Sequence, residues 1–156
     1  MNNYKLSDET KTLPCGTVLH RVVATKAFAL ANGLTINAGD LGGWIEKESN
    51  LTGNAWVSDD AQVYGNALVC GNALVSGDAE VSGDALVSGV ARVSGDAEVS
   101  GDAMVTSQKD YIVFKNSWSS FRWFTYTKSN RMFKVGCFYG TGQELIEKAY
   151  KDNEKS

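Results

Sequence analysis

His20 is the only histidine in this chain of 156 residues, and histidine is the usual general base and a common zinc ligand. It lies in the segment LHRVV, where it alternates with Val18 and Val22 and so faces either the core or a polar partner. Cys15 lies five residues earlier. A Cys–His pair is a nucleophile and its base, but nothing else in the sequence supports this one. We therefore assign no catalytic residue and expect no enzymatic activity.

Metal and disulfide chemistry are poorly represented as well. The three cysteines, Cys15, Cys70 and Cys137, are odd in number, widely spaced and free of any CxxC motif. This argues against a disulfide framework and against a zinc site, and it is typical of a protein in a reducing cytosol. We expect a cytoplasmic protein with no metal and no cofactor.

Aromatic and basic side chains form the pattern that best fits a ligand. Residues 118–139 are rich in both, and aromatic stacking with bidentate arginine bonds suits the base and the phosphate of a nucleotide. The alternative is a small hydrophobic cap with a few basic residues at its surface. The candidate ligand contacts, taken from both ends of the chain, are Arg21, Lys26, Trp44, Arg122, Trp123, Tyr126 and Arg131.

The formal charge of -3 argues against a nucleic-acid partner, because phosphate affinity comes from clustered lysine and arginine. Residues 53–106 carry one basic residue, Arg92, and eight acidic ones, so the basic residues lie in the flanks. No apolar run approaches the roughly 18 residues of a membrane span. The N-terminus also lacks the apolar core of a signal peptide. We expect neither a membrane span nor an exported precursor.

A six-residue repeat occupies the middle of the chain. From Gly53 it reads GNAWVS, DDAQVY, GNALVC, GNALVS, GDAEVS, GDALVS, GVARVS, GDAEVS and GDAMVT, with alanine third and valine fifth in every hexad. Residues two apart point to the same side of a strand, so alanine and valine face inward and the residue between them faces outward. Gly-Asp and Gly-Asn supply the corners, because they tolerate left-handed backbone angles. Leu51 and Ile45 continue the valine position backwards, so the array starts near residue 43.

This pattern resembles the hexapeptide repeats of left-handed parallel β-helices, best known in acyltransferases. The resemblance implies that three hexads form one triangular coil of 18 residues. It predicts three outward columns: Asn50, Leu68, Leu86 and Met104; Trp44, Gln62, Glu80 and Glu98; and Trp56, Leu74 and Arg92. We expect the apolar stripe Leu68, Leu86 and Met104 to be an oligomer interface, since exposed apolar stripes mark contacts and members of this fold class are typically trimers. The alternative is that a flanking segment of the same chain covers the stripe.

The corner acids also stack under this period. One column holds Asp60, Asp78 and Asp96, and another holds Glu48, Asn66, Asp84 and Asp102. Stacked carboxylates are able to hold Ca²⁺, which prefers oxygen ligands. Solvated turn chemistry is the more common reason for aspartate at such corners, and it is the interpretation we favour.

The chain divides into an N-terminal β cap (1–42), the β-helix (43–106) and a C-terminal β-hairpin with an α-helix (107–156). Strand-like runs cover 17–25, 27–30 and 34–37 before the array, and 111–114, 120–127 and 131–138 after it. Thr141 with Glu144 three residues later matches a capping box, so a helix of about ten residues is predicted to follow. The fold class is mainly β.

Nearly the whole chain is similar to a group of small hexapeptide-repeat proteins of bacteriophages and prophages. The segments that carry the resemblance are YKLSDET, LHRVVATKAF, GDLGGWIEKESNL, the GNA/GDA array, DYIVF and GCFYGTGQELIEK. The resemblance implies a compact, trimeric, cytoplasmic protein made during infection or lysogeny, and no settled activity.

The leading hypothesis is a non-catalytic counter-defence protein that sequesters a small nucleotide-like signal in clefts of a homotrimer. Arginine and lysine would meet phosphates, and the aromatic residues would stack on the base. One alternative is a scaffold that binds a host defence protein through the apolar stripe. The other is an acyltransferase relative with His20 as base, although no loop interrupts the hexads where such enzymes often carry an active site.

Overall fold

The computed structural model describes residues 3–30, 33–107, 110–115, 123–135 and 138–154, with the backbone alone for 112–115, 123 and 149–154. Within these ranges the chain consists mainly of β-strands, with one α-helix at the C-terminal end. A parallel β-helix lies between an N-terminal β segment and a C-terminal sheet with its helix. The predicted mainly β fold is therefore confirmed.

Nine two-residue strands, β6 to β14, form the repeat array and recur every six residues. They are Trp56–Val57, Gln62–Val63, Leu68–Val69, Leu74–Val75, Glu80–Val81, Leu86–Val87, Arg92–Val93, Glu98–Val99 and Met104–Val105. Strands that lie three hexads apart pair in parallel, which gives the array three sheets. The 18-residue coil implied by the resemblance to hexapeptide-repeat β-helices is thereby confirmed.

The three outward columns have the composition that this period predicts, apart from Asn50. We call them the glutamate face (Trp44, Gln62, Glu80, Glu98), the leucine face (Leu68, Leu86, Met104) and the arginine face (Trp56, Leu74, Arg92). Inside, the alanines of the nine hexads are at most 3% exposed and the valines are 0% exposed. Full burial of one valine contributes about 1.5–3 kcal/mol, so the interior supplies most of the stabilisation of the coils.

The corners stack closely enough to require a backbone without a side chain. Gly77 has φ 64, and a Cβ placed on it would lie 2.9 Å from the backbone nitrogen of Gly95 in the next coil. Asp59 occupies the same hexad position one coil earlier and keeps the left-handed conformation with φ 54. Its carboxylate accepts the N–H of Gly77 at 3.0 Å, which helps to hold a residue that would otherwise be strained there.

The first coil has no coil before it, and side chains of the N-terminal segment satisfy its free carbonyl groups. In the regular array the Val69 carbonyl accepts an N–H from the preceding coil at 3.0 Å. Leu51, its equivalent one coil earlier, accepts instead from the hydroxyl of Tyr4 at 2.7 Å, and the carbonyl of Glu48 shares the same proton. The carbonyl of Gly53 likewise accepts from the side-chain amide of Asn3 at 3.3 Å. Two side chains thus replace donors of a missing coil.

The last coil is closed in the same way by acceptors of the C-terminal sheet. The N–H of Glu80 donates to a carbonyl of the next coil at 2.9 Å. Its equivalent in the last coil, Glu98, donates to Oγ1 of Thr125 at 3.0 Å. The N–H of Met104 donates to Oγ of Ser129 at 2.7 Å. Both ends of the β-helix are therefore protected against pairing with another strand.

The N-terminal segment extends one sheet of the β-helix and covers part of another. Its strands are β1 (Tyr4–Thr12), β2 (Val18–Ala24), β3 (Phe28–Ala29), β4 (Thr35–Ile36) and β5 (Leu41–Ile45). β1, β2 and β5 pair antiparallel, and β5 then pairs in parallel with β7, so the sheet behind the glutamate face has six strands. The β3–β4 hairpin places Phe28 edge-on to Trp56, with ring centres 5.7 Å apart.

The C-terminal part is a four-stranded antiparallel sheet in chain order. Its elements are β15 (Tyr111–Lys115), β16 (Trp123–Thr127), β17 (Met132–Val135), β18 (Phe138–Thr141) and α1 (Gly142–Glu154). The predicted hairpin is present as β16 and β17, and a strand lies on each side of it. Thr141 and Glu144 exchange the two hydrogen bonds of a capping box, at 3.2 and 3.1 Å, so the predicted helix start is confirmed.

Two features differ from the sequence-based expectation. No strand was predicted over 4–12, because YKLSDETKT is too polar to show a buried face. Asn50 was placed in the outward apolar column, and this was wrong: it ends a 3₁₀ turn (Glu48–Asn50), is fully buried, and donates to the carbonyl of Ala67 at 2.8 Å. Its own N–H is used within the turn, bonding Lys47 at 3.0 Å, so the side-chain amide takes over the coil-to-coil bond.

We expect Tyr4→Phe to lower the free energy of unfolding by about 1–3 kcal/mol, because it leaves the buried carbonyl of Leu51 without its donor. Burial and the neighbouring Glu48 raise the pKa of Tyr4 to about 12, so the hydroxyl remains a donor even in alkaline solution. Tyr111→Phe is the control, since that hydroxyl donates to the carbonyl of Arg92 at 2.7 Å in an exposed position. Urea unfolding should show a larger loss of unfolding free energy for Tyr4→Phe than for Tyr111→Phe. Equal losses would contradict the role of Tyr4 in closing the first coil.

Candidate functional site

Trp44 begins the glutamate face and has a cation from each of two neighbouring strands over its ring. The Nζ of Lys11 lies 4.7 Å from the ring centre, and the guanidinium carbon of Arg21 lies 5.5 Å from it. The strand register explains this: Arg21 is the direct cross-strand partner of Trp44, and Lys11 pairs with Leu19, two residues before Arg21. We call Lys11, Arg21 and Trp44 the Trp44 cluster.

The cluster is partly shielded from water. Trp44 is 7% exposed, and the Arg21 side chain is 26% exposed. The Nε of Arg21 donates to the carbonyl of Gly42 at 3.1 Å, which fixes the guanidinium at the edge of β5. Its Nη1 lies 3.7 Å from a carboxylate oxygen of Glu9, whose side chain is 54% exposed. Such an exposed ion pair contributes little to stability. Cation–π contacts are worth about 0.5–2 kcal/mol each, more when they are desolvated.

The indole N–H of Trp44 is buried and has no hydrogen-bond partner among the described residues. A buried donor without a partner costs roughly 1–3 kcal/mol. Native proteins hold few such groups, and they are worth examining as binding positions. The cluster therefore places two positive charges beside a buried donor, and the charges are the part of this set that suits an anion.

The burial of Trp44 does not suit the stacking on a base that was predicted for it. We expected its ring to stack on a nucleobase, but the ring is almost fully buried and already carries Lys11 and Arg21. The cluster suits the charged part of a ligand better than an aromatic part. Lys11 was missed by the sequence analysis, because only the pairing of β1 with β2 brings it to Trp44.

The rest of the glutamate face is acidic. Tyr64 donates its hydroxyl to Glu80, and burial raises the pKa of Tyr64 well above its usual range, with Glu80 adding to the effect. Burial also raises the pKa of Glu98 above its usual 4.5; Lys134 acts in the opposite direction, and Glu80 adds to the rise. These carboxylates lie beyond Gln62, so the Trp44 cluster is the basic end of an otherwise acidic face.

The other predicted ligand contacts do not gather around Trp44. Lys26 is exposed in the turn after β2, and Arg131 is exposed in the turn before β17, with φ 56. The ring of Tyr126 packs on Phe133 with centres 4.8 Å apart. Arg122 and the side chain of Trp123 lie outside the described residues.

Within one chain, the two groups of candidates lie at opposite ends of the glutamate face. β16, which carries Tyr126, lies against β13 through the bond from Glu98 to Thr125. β13 is three strand spacings from β5, which carries Trp44, or about 14 Å. The structure thus does not combine the N-terminal and C-terminal candidates into one site on a single chain.

The leucine face is only partly covered. Leu68 and Leu86 are half-buried, and Met104 is 50% exposed. The adjoining corner holds Val90, which is 58% exposed and replaces the Asn or Asp found at this position in the other hexads. The predicted interface residues therefore stand in register on one face and extend to an apolar corner.

His20 and Cys15, the candidates for catalysis in the sequence, do not contact each other in the described part of the chain. His20 is half-buried on β2, with Ile45 as its cross-strand partner. Cys15 hydrogen-bonds Thr17 at 3.4 Å rather than His20, and this bond lowers the pKa of the thiol. No group of three or more His, Cys, Asp or Glu side chains is placed to hold a metal ion among the described residues.

Comparison with known proteins supports a β-solenoid repeat in the central array. The family model described as the YdcK β-solenoid repeat matches residues 61–77, which is just under one coil. No curated protein is significantly similar to the chain. The central array is thus similar to a β-solenoid repeat, and the match says nothing about the flanks that build the Trp44 cluster.

The one helix of the described residues, α1, is neither long nor apolar enough to cross a bilayer. This agrees with the absence of a long apolar run in the sequence.

We expect Glu98→Gln to stabilise the protein at pH 7. The folded state holds the proton of Glu98 more tightly than the unfolded state, so this group favours folding below pH 4.5 and loses that contribution as pH rises through its raised pKa. The amide removes the cost of burying the charge, so the gain should disappear at pH 4. Urea unfolding at both pH values measures it, with the exposed corner variant Asp78→Asn as control. A less stable Glu98→Gln at pH 7 would show that attraction to Lys134 dominates.

Proposed function

We propose that this protein is a non-catalytic binding protein, in which the β-solenoid is a rigid support and the Trp44 cluster takes the anionic part of a small nucleotide-like ligand. The observation that carries the proposal is the placement of Lys11 and Arg21 over one buried indole. Two cations held in this way are organised before a ligand arrives, which reduces the entropy cost of binding.

The finer form of the proposal concerns biological role. Because the whole chain resembles small phage and prophage proteins, we propose a counter-defence protein of the host cytoplasm that traps a nucleotide signal. To sequester a signal, a protein must bind it tightly and be present in sufficient amount, and it does not have to convert it chemically. A chain with a prominent cation cluster is compatible with that task.

The acyltransferase alternative depends on His20. A general base must reach the acceptor hydroxyl or amine by a hydrogen bond, directly or through one water. His20 pairs in register with Thr10 and Ile45 inside the six-stranded sheet, at the N-terminal end of the repeat array. No observation favours catalysis there, so this alternative ranks below binding.

We expect a nucleotide-like ligand to raise the melting temperature of the protein. A thermal-shift panel of cyclic nucleotides, ADP-ribose derivatives and acyl-CoA would identify the class, since a ligand that binds only the folded state stabilises it by mass action. Unaltered recovery of the ligand after denaturation would confirm that it is trapped and not turned over. No shift with any nucleotide, together with tight binding to a host protein, would replace this proposal with the scaffold function.

Self-association is a second candidate, favoured by the exposure of Met104 and Val90 beside Leu86. Of the three corners of the β-helix, two carry stacked acidic residues, whereas the corner with Val90 carries asparagine and valine at the same position. Like charges across an interface repel, so the uncharged corner with the leucine face is the surface on which a second copy packs best. We propose a homo-oligomer, with a trimer as its expected form.

We expect Leu86→Glu to convert the oligomer into monomers, because it introduces a charge in the middle of the apolar stripe. Light scattering coupled to size-exclusion chromatography gives the mass directly. Leu41→Glu is the matched control, since Leu41 is 57% exposed on β5 and lies outside the stripe. A monomeric mass for the unaltered protein would contradict the oligomer itself.

A further inference from the structure

The ring of Trp44 offers no face to a ligand, and this restricts what the cluster recognises. Trp44 is 7% exposed, with Lys11 and Arg21 at 4.7 and 5.5 Å from its ring centre. Base stacking requires an open aromatic face. Among the described aromatic candidates, Tyr126 is engaged with Phe133. Recognition at this end of the protein therefore depends on charge and hydrogen-bond donors.

The donors of the cluster are incompletely used. Arg21 has five N–H groups, of which Nε serves the carbonyl of Gly42. Its Nη1 faces Glu9 at 3.7 Å, which is beyond hydrogen-bond distance. The ammonium of Lys11 has the Trp44 ring as its described contact, and the indole N–H has no partner among the described residues.

Resting on the proposed binding function, we infer that the Trp44 cluster recognises a phosphoryl-type oxyanion, and that the carboxylate of Glu9 is an internal occupant which this oxyanion displaces from Arg21. A guanidinium fork beside an ammonium matches the oxygens of a phosphate group. The long distance and the 54% exposure of Glu9 make it a weak occupant, so displacing it costs little. Free phosphates and phosphorylated metabolites share this chemistry.

The surroundings agree with a site for a single anionic group. The next outward residue on the face is Gln62, which is neutral, and Glu80 follows one coil further. A phosphate held by Arg21 and Lys11 is thus kept at the basic end of the face. Removing Glu9 changes the net charge of the immediate group from +1 to +2, so its loss should strengthen anion binding.

Isothermal titration calorimetry with inorganic phosphate, pyrophosphate, ADP and adenosine tests the inference. Pyrophosphate and ADP should bind with similar affinity, adenosine should not bind, and affinity should fall as salt rises. Arg21→Met and Lys11→Met should each weaken pyrophosphate binding about tenfold, and Glu9→Gln should strengthen it several-fold. Lys5→Met, which removes an exposed charge from the same strand, is the control and should change nothing.

The outcomes separate this inference from the proposed function. Pyrophosphate binding that depends on Arg21, with no binding of any nucleotide, would uphold the oxyanion site and end the nucleotide proposal. Adenosine binding as tight as ADP binding and unaffected by Arg21→Met would overturn both the oxyanion site and the role proposed for the Trp44 cluster, because the ligand would then bind elsewhere. A loss with Lys5→Met as large as with Lys11→Met would overturn the site, since it would show general charge attraction. Silence with all four compounds would overturn the oxyanion site. Melting curves of each variant confirm that it is folded.

Discussion

Coil-to-coil hydrogen bonding is the constraint on which the rest of this structure depends. Every coil of a parallel β-helix offers N–H and carbonyl groups to the coil before it and the coil after it, so the stack has no natural end. Here each end is closed by side chains that copy the missing backbone groups. Tyr4 donates to the carbonyl of Leu51, and Thr125 accepts from the N–H of Glu98. The flanking segments are thus required by the array as much as the array supports them.

The same constraint explains where chemistry is able to develop. The interior is restricted to alanine and valine, because three strands per coil leave little space, and the corners are restricted to residues that adopt left-handed angles. The outward residue of each hexad varies most widely in chemical type. Along one face it becomes Gln62, Glu80 and Glu98, along another Leu68, Leu86 and Met104. A repeat that fixes its core so tightly places its variable residues in straight columns, which suit broad surfaces for association.

The Trp44 cluster lies at the N-terminal end of the array, where the regular repeat meets the antiparallel strands β1 and β2. β1 and β2 extend the sheet behind the glutamate face, and this pairing both covers the open edge and brings Lys11 and Arg21 to Trp44. The same strand pairing therefore closes the N-terminal end of the β-helix and assembles the Trp44 cluster. The basic end of the face is therefore coupled to the integrity of the first coil, and the rest of that face is acidic.

Through its resemblance to hexapeptide-repeat β-helices, the sequence implied the coil of 18 residues and the membership of its three faces. By itself it determined the six-residue period, the inward position of alanine and valine, and the start of the C-terminal helix. These follow from local rules: alternation fixes which residues face inward, a strict period fixes register, and Thr141 with Glu144 marks a helix start. Tertiary structure alone decided the rest. Asn50 is buried because its amide replaces a backbone donor. The polar segment β1 is a strand because it hydrogen-bonds the edge of β2. Lys11 joins Arg21 and Trp44 across long sequence separations, and no local pattern records the pairing of strands that lie so far apart in the chain.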